Sequence, residues 1–568
     1  MLKFDSRNLE YKRPFGAVKT RRKVSLVFPV NVSACSTGVG MILRGEKTVR
    51  YDMEYRRTTG EYKYYTLDFT VDEPGLYRYR FEVYTPSGCI FVGRNPDGVA
   101  VAGDWLPEWQ LTVYDEDFKT ADWLKGGVIY HIFPDRFARV EDGKRPLYGY
   151  LKNWGEELTV VDDDGVYRAN DFYGGNIKGI ISRLDYIASL GVTAIYLSPI
   201  FESHSNHRYD TADYMKIDAL FGTEEEFAEL VKEAEKRGMG IILDGVFNHT
   251  GADSIYFNKF GHYPSLGAYQ SKKSPYYKWY TFTEYPDKYT CWWGVTVVPT
   301  VRRDCLEFQK FIAGKGGVIE KWTKLGAKGW RLDVADELST EFIEKLRVSC
   351  KSLGDIAMIG EVWEDASTKI SYGEARRYLF GHELDGTMNY PFRNAIIGLL
   401  KSKNIDYFVN EVMTIVENYP KEALASSMCL LGTHDTVRIL TALSGAAPGN
   451  TKTERLAYRL TPDELAKGKR LLRIASALQY FLPGLPTVYY GDEIGMQGFE
   501  DPINRRPYSY GYEDNELLAH YRYLGAIHRE FSEEFSLERR GSELRLMRGR
   551  YTLVVNPIEE SYDVIKNY

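Results

Sequence analysis

Long apolar runs are missing from this chain of 568 residues. No stretch reaches the ~18 uninterrupted apolar residues that a membrane span requires. The most apolar segment, Leu471 to Tyr490, is interrupted by Arg473, Gln479 and prolines, and reads as a helix running into a buried strand. The opening residues, Met1-Leu2-Lys3-Phe4-Asp5-Ser6-Arg7, contain no apolar core of a secretory leader. Cysteine is scarce: Cys35, Cys89, Cys291, Cys305, Cys350 and Cys429 lie far apart, without metal-type pair spacing. Buried free thiols, no metal site and a cytoplasmic location are the expectation. An excess of positive charge is also absent. With a formal net charge of -6, the chain is expected to bind neither nucleic acid nor a membrane surface.

Aromatic residues, by contrast, are abundant: 44 tyrosines and 10 tryptophans. Such rings present a flat apolar face with a polar tip, which matches the apolar face of a sugar. Most belong to cores and sheet surfaces whatever the function, so they suggest a carbohydrate site without locating it.

From about residue 20 to 115 the polarity alternates with period two, in Val24–Phe28, Tyr64–Phe69, Tyr77–Val83 and Trp109–Val113, and turn signals lie between the runs. That predicts an N-terminal β-sandwich over residues 1–120. Beyond Trp123, strand-like apolar runs alternate with helical stretches. The strands are Val128–Phe133, Thr193–Ser198, Gly240–Val246, Gly329–Asp333, Ala357–Glu361, Met428–Gly432 and Pro486–Tyr490, with a weaker one near Leu384. The helices include Ile177–Leu190, Glu224–Arg237 and Thr340–Leu353, each stopped by a glycine (Gly191, Gly238, Gly354). The fold class is therefore α/β, a parallel (β/α)8 TIM barrel over residues 121–510. Residues 247–303, rich in Tyr and Trp, form an inserted domain after the third strand, at the barrel face that carries active sites. Residues 511–568 read as a terminal helix and a short C-terminal β element.

Three carboxylates fall at successive strand ends: Asp333, Glu361 and Asp435. A glycosidic bond needs two, one at the anomeric carbon and one to protonate the departing oxygen. Arg331, two residues before Asp333 on one strand, points into the same pocket and is expected to keep that carboxylate ionised. Glu361 beside Trp363 suits a proton donor if its surroundings are partly apolar. His131 and His382 read as structural.

These motifs resemble the α-amylase superfamily, glycoside hydrolase family 13, and within it the neopullulanase, cyclomaltodextrinase and maltogenic amylase group. Asp244–His249, Gly329–Asp333, Glu361–Trp363, Leu431–Thr436 and Tyr490–Met496 match the motifs of barrel strands three, four, five, seven and eight. Val128–Phe137 and Asn206–Tyr214 resemble the first strand and the loop after the second. The resemblance implies Asp333 as nucleophile, Glu361 as general acid/base and Asp435 as the holder of sugar hydroxyls, in a retaining reaction. It further implies substrate contacts from His207, Tyr209, His249, Arg331 and His434. Asp501 and Arg505 fall at the non-reducing end, and Glu337 and Trp363 beyond the cleaved bond. A surface salt-bridge cluster is the competing reading of Arg505-Arg506.

Departures gather on the acceptor side. The group's Met-Pro-Lys-Leu-Asn is Val298-Pro299-Thr300-Val301-Arg302, its Val-Ala-Asn-Glu is Val334-Ala335-Asp336-Glu337, and its histidine after the strand-five tryptophan is Glu364. The loop that often binds calcium reads Ala138 to Pro146 with Lys144 and Arg145 in it, and a later Asp is Asn176. A calcium site wants several anionic oxygens, so no cofactor is expected and structural calcium is disfavoured. The expected partner is an α-glucan; the N-terminal sandwich reads as a starch-binding module or a dimerisation arm, and a homodimer through it is what the resemblance implies. The leading reading is an α-glucan hydrolase cleaving α-1,4 bonds, with α-1,6 open. The alternatives are an α-glucanotransferase, and more remotely a non-catalytic glucan-binding protein.

Overall fold

A computed structural model describes residues 2–161 and 167–567. The chain forms two compact units: one of residues 1–120, 364–386 and 406–424, the other of the remainder.

The larger unit is built on eight parallel strands: β1 (Ile129–Ile132), β2 (Ala194–Leu197), β3 (Gly240–Gly245), β4 (Gly329–Leu332), β5 (Ala357–Gly360), β6 (Gly386–Thr387), β7 (Met428–Leu430) and β8 (Leu485–Tyr489). They pair in the order β6-β5-β4-β3-β2-β1-β8-β7. A parallel bridge between Met388 and Met428 closes the ring, with the Asn389 N–H donating to Met428 O at 2.8 Å. Strands covered on both sides carry apolar residues without alternation; every residue of β1, β2, β4 and β5 is buried. The weaker candidate is β6, which lies just beyond the expected Leu384 and is only two residues long.

Register decides what stands beside what. Asp244 pairs with Arg331 across β3 and β4, and Leu332 with Gly360 across β4 and β5. The residues that follow the latter pair are Asp333 and Glu361. The Glu361 N–H donates to Leu332 O at 3.0 Å, and the Asp333 N–H to Gly245 O at 3.1 Å.

The stretch expected as one helix over Ile177–Leu190 is two, Ile177–Ile181 and Leu184–Ser189. Ser182 explains the break: its hydroxyl donates back to Gly179 O at 2.7 Å, which competes with the helical ladder. Gly191, Gly238 and Gly354 all have positive φ, as helix-stopping residues require. The segment after β3 builds its interior from rings, among them Phe257 against Tyr289 at 4.7 Å and Tyr256 against Trp279 at 5.0 Å. Helix Asn515–His528 and a four-stranded antiparallel sheet over Phe535–Lys566 complete this unit.

The smaller unit is a sandwich of antiparallel strands around Phe4, Phe28, Phe81 and Trp109. Phe28 stacks on Phe81 at 4.2 Å, and Trp109 donates its indole N–H to Gly98 O at 2.7 Å. Residues 406–424 are joined to it by Arg7 to Glu417 at 3.2 Å and Asn410 to Asp97 at 2.7 Å. Gln110 to Ser367 at 2.9 Å joins residues 364–386. No disulfide joins the six cysteines, and Cys305, Cys350 and Cys429 are buried, but Cys35, after the turn Val32–Ala34, and Cys89, on the strand Gly88–Arg94, are exposed, so the expectation of buried thiols fails for these two.

Candidate active site

Arg331 is the centre of the site. It is fully buried, and its Nη1 donates to Asp244 Oδ1 at 2.8 Å and Asp333 Oδ1 at 2.7 Å. Its Nη2 lies 2.9 Å from Glu361 Oε2, an ion-pair contact without the alignment of a hydrogen bond. One guanidinium thus faces three carboxylates. This corrects the expectation that Arg331 simply keeps Asp333 ionised. Burial, reinforced by the charges of Glu361 and Asp244, pushes Asp333 well above the usual carboxylate range although Arg331 opposes it. Burial likewise raises Asp244 against Arg331 and the hydroxyls of Tyr196 and Tyr209. For Asp333 and Asp244 the first cause is the same, burial, and at Asp333 a surplus of negative charge further favours retaining a proton.

The surroundings of Glu361 are polar, contrary to the expectation of a partly apolar niche. Its Oε2 accepts the Val334 N–H at 2.8 Å and its Oε1 the Trp363 indole N–H at 3.1 Å. Val334 presents that N–H from left-handed backbone, φ 39 and ψ 56. For a β-branched residue this is a true outlier, costing roughly 1–3 kcal/mol. Strain of this kind persists where the surroundings over-determine it, and here it aims an amide between two carboxylates.

A second cluster lies toward β7. The His434 Nε2 is 3.1 Å from Asp435 Oδ2, and its ring is parallel to Tyr209 at 5.1 Å. The Tyr209 hydroxyl donates to Asp244 Oδ2 at 2.9 Å, which ties this cluster to the first. Burial and Arg505 keep His434 neutral, well below the usual imidazole range. Burial raises Asp435 to about 7, with Arg505 opposing and Glu361 adding to the rise. About a third of the Asp435 side chain remains open to solvent (32%), which leaves a face for a ligand.

Arg505 is buried, so the surface-cluster reading holds only for Arg506, which pairs with Glu157 at 3.0 Å. Arg505 donates from Nε to His434 O at 2.8 Å and from Nη2 to Asp435 Oδ1 at 3.2 Å, while Nη1 meets Asp501 Oδ1 at 2.8 Å. It holds other site residues in place with all three nitrogens.

His207 and His249 carry a legible tautomer. The His207 Nδ1 accepts the Tyr209 N–H at 3.0 Å, and the His249 Nδ1 is 3.2 Å from the Asn248 amide nitrogen. In each ring that leaves Nε2 to bear the proton and donate. Burial lowers both rings, His249 to about 4, so they are neutral donors at ordinary pH. On the opposite side, Trp363 stacks on Tyr390 at 3.9 Å, and Glu337 lies 3.4 Å from the Trp293 indole nitrogen.

Reasoning from sequence passed over three contributors. Asp244 is the third carboxylate on Arg331, Tyr196 donates to it at 2.6 Å, and His131 stacks on Tyr196 at 4.3 Å and meets His434 at 5.4 Å. For Asp244 the available signal was its place at the head of the strand-three motif Asp244–His249.

The loop that often holds calcium has its oxygens occupied. The Asn176 Oδ1 accepts from Gly179 N at 2.9 Å and Val140 N at 3.2 Å, and Lys144 pairs with Asp142 at 3.2 Å. Among the described residues no group of three or more His, Cys, Asp or Glu is arranged to hold a metal ion. In this loop the side-chain oxygens of Asn176 and Asp142 are thus already engaged within the protein.

The family model "Alpha amylase, catalytic domain" matches residues 131–297 and 307–536. The chain belongs to the alpha-amylase family of glycoside hydrolases. Within that family it is 36% identical to an amylopullulanase of Thermoanaerobacterium saccharolyticum over 93% of its own length and 44% of the relative's. The chain thus spans less than half of the amylopullulanases it matches. It is 35% identical to neopullulanase 2 of Thermoactinomyces vulgaris, across 76% of this chain and 67% of that one. A solved structure, the type III pullulan hydrolase from Thermococcus kodakarensis, superposes with a TM-score of 0.67 at 25% identity, covering 98% of this chain and 94% of its own. Among the described residues no helix is long and apolar enough to cross a membrane.

Proposed function

We propose that this chain is a retaining α-glucan hydrolase that cleaves α-1,4-glucosidic bonds in maltooligosaccharides, cyclodextrins, pullulan or starch. The observation that carries the reading is the placement of Asp333 and Glu361 immediately after the register pair Leu332–Gly360. Neighbouring strands lie about 4.8 Å apart. That spacing suits the roughly 5–5.5 Å between carboxyl groups of a covalent route, rather than the wider gap that admits a water.

Asp333, fixed by a directed bond from Arg331, is the nucleophile. Its carboxylate oxygen bonds to the anomeric carbon as the C–O bond to the leaving sugar breaks. Glu361, in contact with half-exposed Trp363, gives its proton to the departing oxygen. In the second step water loses a proton to Glu361, bonds to the anomeric carbon and releases Asp333. Asp435, with His434, His207 and His249, supplies hydrogen bonds to ring hydroxyls in the distorted transition state, and Tyr209 stacks on the reacting ring. Asp501 binds toward the non-reducing end, where Arg505 orients it, and Glu337 and Trp363 bind the leaving sugar.

Product analysis tests this directly. The purified protein is expected to release panose or maltose from pullulan and to open β-cyclodextrin faster than it cuts soluble starch. Starch cleavage with cyclodextrin untouched would assign an open-cleft amylase instead, and no release from any of the three would leave the glucan-binding reading.

No metal is assigned a part in this chemistry, a reading supported by the Asn176 oxygen of that loop already accepting two backbone N–H groups. Dialysis against EDTA is expected to leave kcat and Tm unchanged; a drop in either, restored by Ca2+ alone, would overturn this. Six cysteines outside any disulfide fit a cytoplasmic setting. Exposed Ile90, Phe91 and Trp105 in the smaller unit favour a second copy of the chain as its partner.

A further inference from the structure

Trp293 stands in the short turn Trp292–Gly294, inside the segment that follows β3. It is 83% exposed and its backbone is left-handed, φ 50 and ψ 30. An exposed indole gains nothing from burial, and left-handed backbone is disfavoured for a bulky side chain. A residue that carries both penalties is a candidate for function rather than folding.

The indole is nevertheless oriented. Its Nε1 lies within hydrogen-bond reach of Glu337 Oε1, and its ring is 5.9 Å from that of Trp292. Trp292 in turn packs 5.6 Å from the His249 ring, and its own Nε1 is buried without a partner. The turn is pinned by Trp292 N to Val298 O at 3.1 Å and Val295 N to Trp292 O at 2.9 Å.

Glu337 follows Asp333 on the loop after β4. On the loop after the neighbouring strand, Trp363 repeats the arrangement: its indole N–H donates to Glu361 Oε1 and its outer face is 43% exposed. Two indoles, each held through its N–H by a glutamate, therefore stand over adjacent strand ends on the side where the leaving sugar departs.

We propose that Trp293 is a sugar-stacking residue of the acceptor side, which together with Trp363 holds the departing or incoming sugar and sets how the glycosyl-enzyme divides between water and a sugar acceptor. The inference rests on the α-glucan hydrolase reading above. In transfer, the acceptor hydroxyl gives its proton to Glu361, its oxygen bonds to the anomeric carbon, and the bond to Asp333 breaks. Water follows the same route. A sugar held against an indole competes better because its hydroxyl is already positioned.

Trp293→Ala and Trp293→Phe test it, with maltotetraose and α-maltosyl fluoride as donors and maltose as acceptor. The fluoride places no sugar on the acceptor side. For Trp293→Ala, the ratio of transfer to hydrolysis is expected to fall at least five-fold. Its kcat/KM for maltotetraose is expected to fall at least ten-fold, several times more than for the fluoride, with Trp293→Phe recovering most of both. An unaltered transfer ratio, or equal losses on the two donors, would overturn the proposal while wild type stays active. A wild type inactive on both donors would overturn the hydrolase reading itself, and this inference with it.

Discussion

Asp333→Asn is expected to lower kcat on any α-glucan by at least about 10^4-fold, some 5–6 kcal/mol of transition-state stabilisation, while Tm holds or rises. The loss follows from removing the atom that bonds the anomeric carbon. The gain in stability follows from the site's charge. Asp333 is raised in the folded protein, so the fold favours its protonated form. That contribution is complete at pH below the unfolded value and is lost as pH climbs through the folded one. Asparagine resembles the protonated group, so the variant's advantage in Tm should appear at pH 8 and fade by pH 4. Glu361→Gln provides the contrast. It should be as damaging on maltotetraose but far less so on maltosyl fluoride, whose leaving group needs no proton. Retention of a tenth of wild-type kcat by Asp333→Asn would end the assignment, as would a Tm that drops equally at both pH values.

Arg331→Met should be the most disruptive substitution in the barrel. It strips the one cation from Asp244, Asp333 and Glu361 and leaves buried negative charge uncompensated, a loss of roughly 3–5 kcal/mol. Without the guanidinium, Asp333 rises further, so whatever activity depends on its ionised form moves to higher pH. The variant's stability deficit should therefore be large at pH 8 and shrink toward pH 5, where the carboxyls take up protons. Arg331→Lys tests geometry separately from charge. A lysine restores a cation but lacks the planar fork that reaches neighbouring carboxylates at once, so Tm should recover more than kcat. Full recovery of kcat would show that the bridging is unimportant; a deficit independent of pH would show that packing, not charge, is what Arg331 supplies. Thermal denaturation and pH–rate profiles of both variants decide between these.

The barrel was legible because buried parallel strands are written as apolar runs, and the carboxylates because Asp333 and Glu361 directly follow such runs and Asp435 lies a few residues beyond one. What escaped was set by neighbours distant in sequence. β6 is two residues long and is completed by the bridge from Met388 to Met428, which no local pattern marks. Glu361 sits in polar company because Val334 turns its amide inward through left-handed backbone, a conformation that valine's own preferences oppose. Arg331 was visible beside Asp333, yet its sharing among three carboxylates emerges only from the pairing of β3 with β4 and β4 with β5. That the three nitrogens of Arg505 brace His434, Asp435 and Asp501 was likewise not written in its local sequence.

The smaller unit draws on three separate stretches, the last ending at Leu424. Its own strands are all synthesised by Thr120, but Arg7 and Asp97 must wait for Glu417 and Asn410. At ribosomal speeds of about 5–20 residues per second, the roughly 300 residues between Thr120 and Leu424 impose a delay of roughly 15–60 s. During that interval the sandwich lacks the partners that residues 364–386 and 406–424 supply. Its completion therefore waits on translation past Leu424, yet still precedes β7, β8 and the C-terminal sheet of the larger unit.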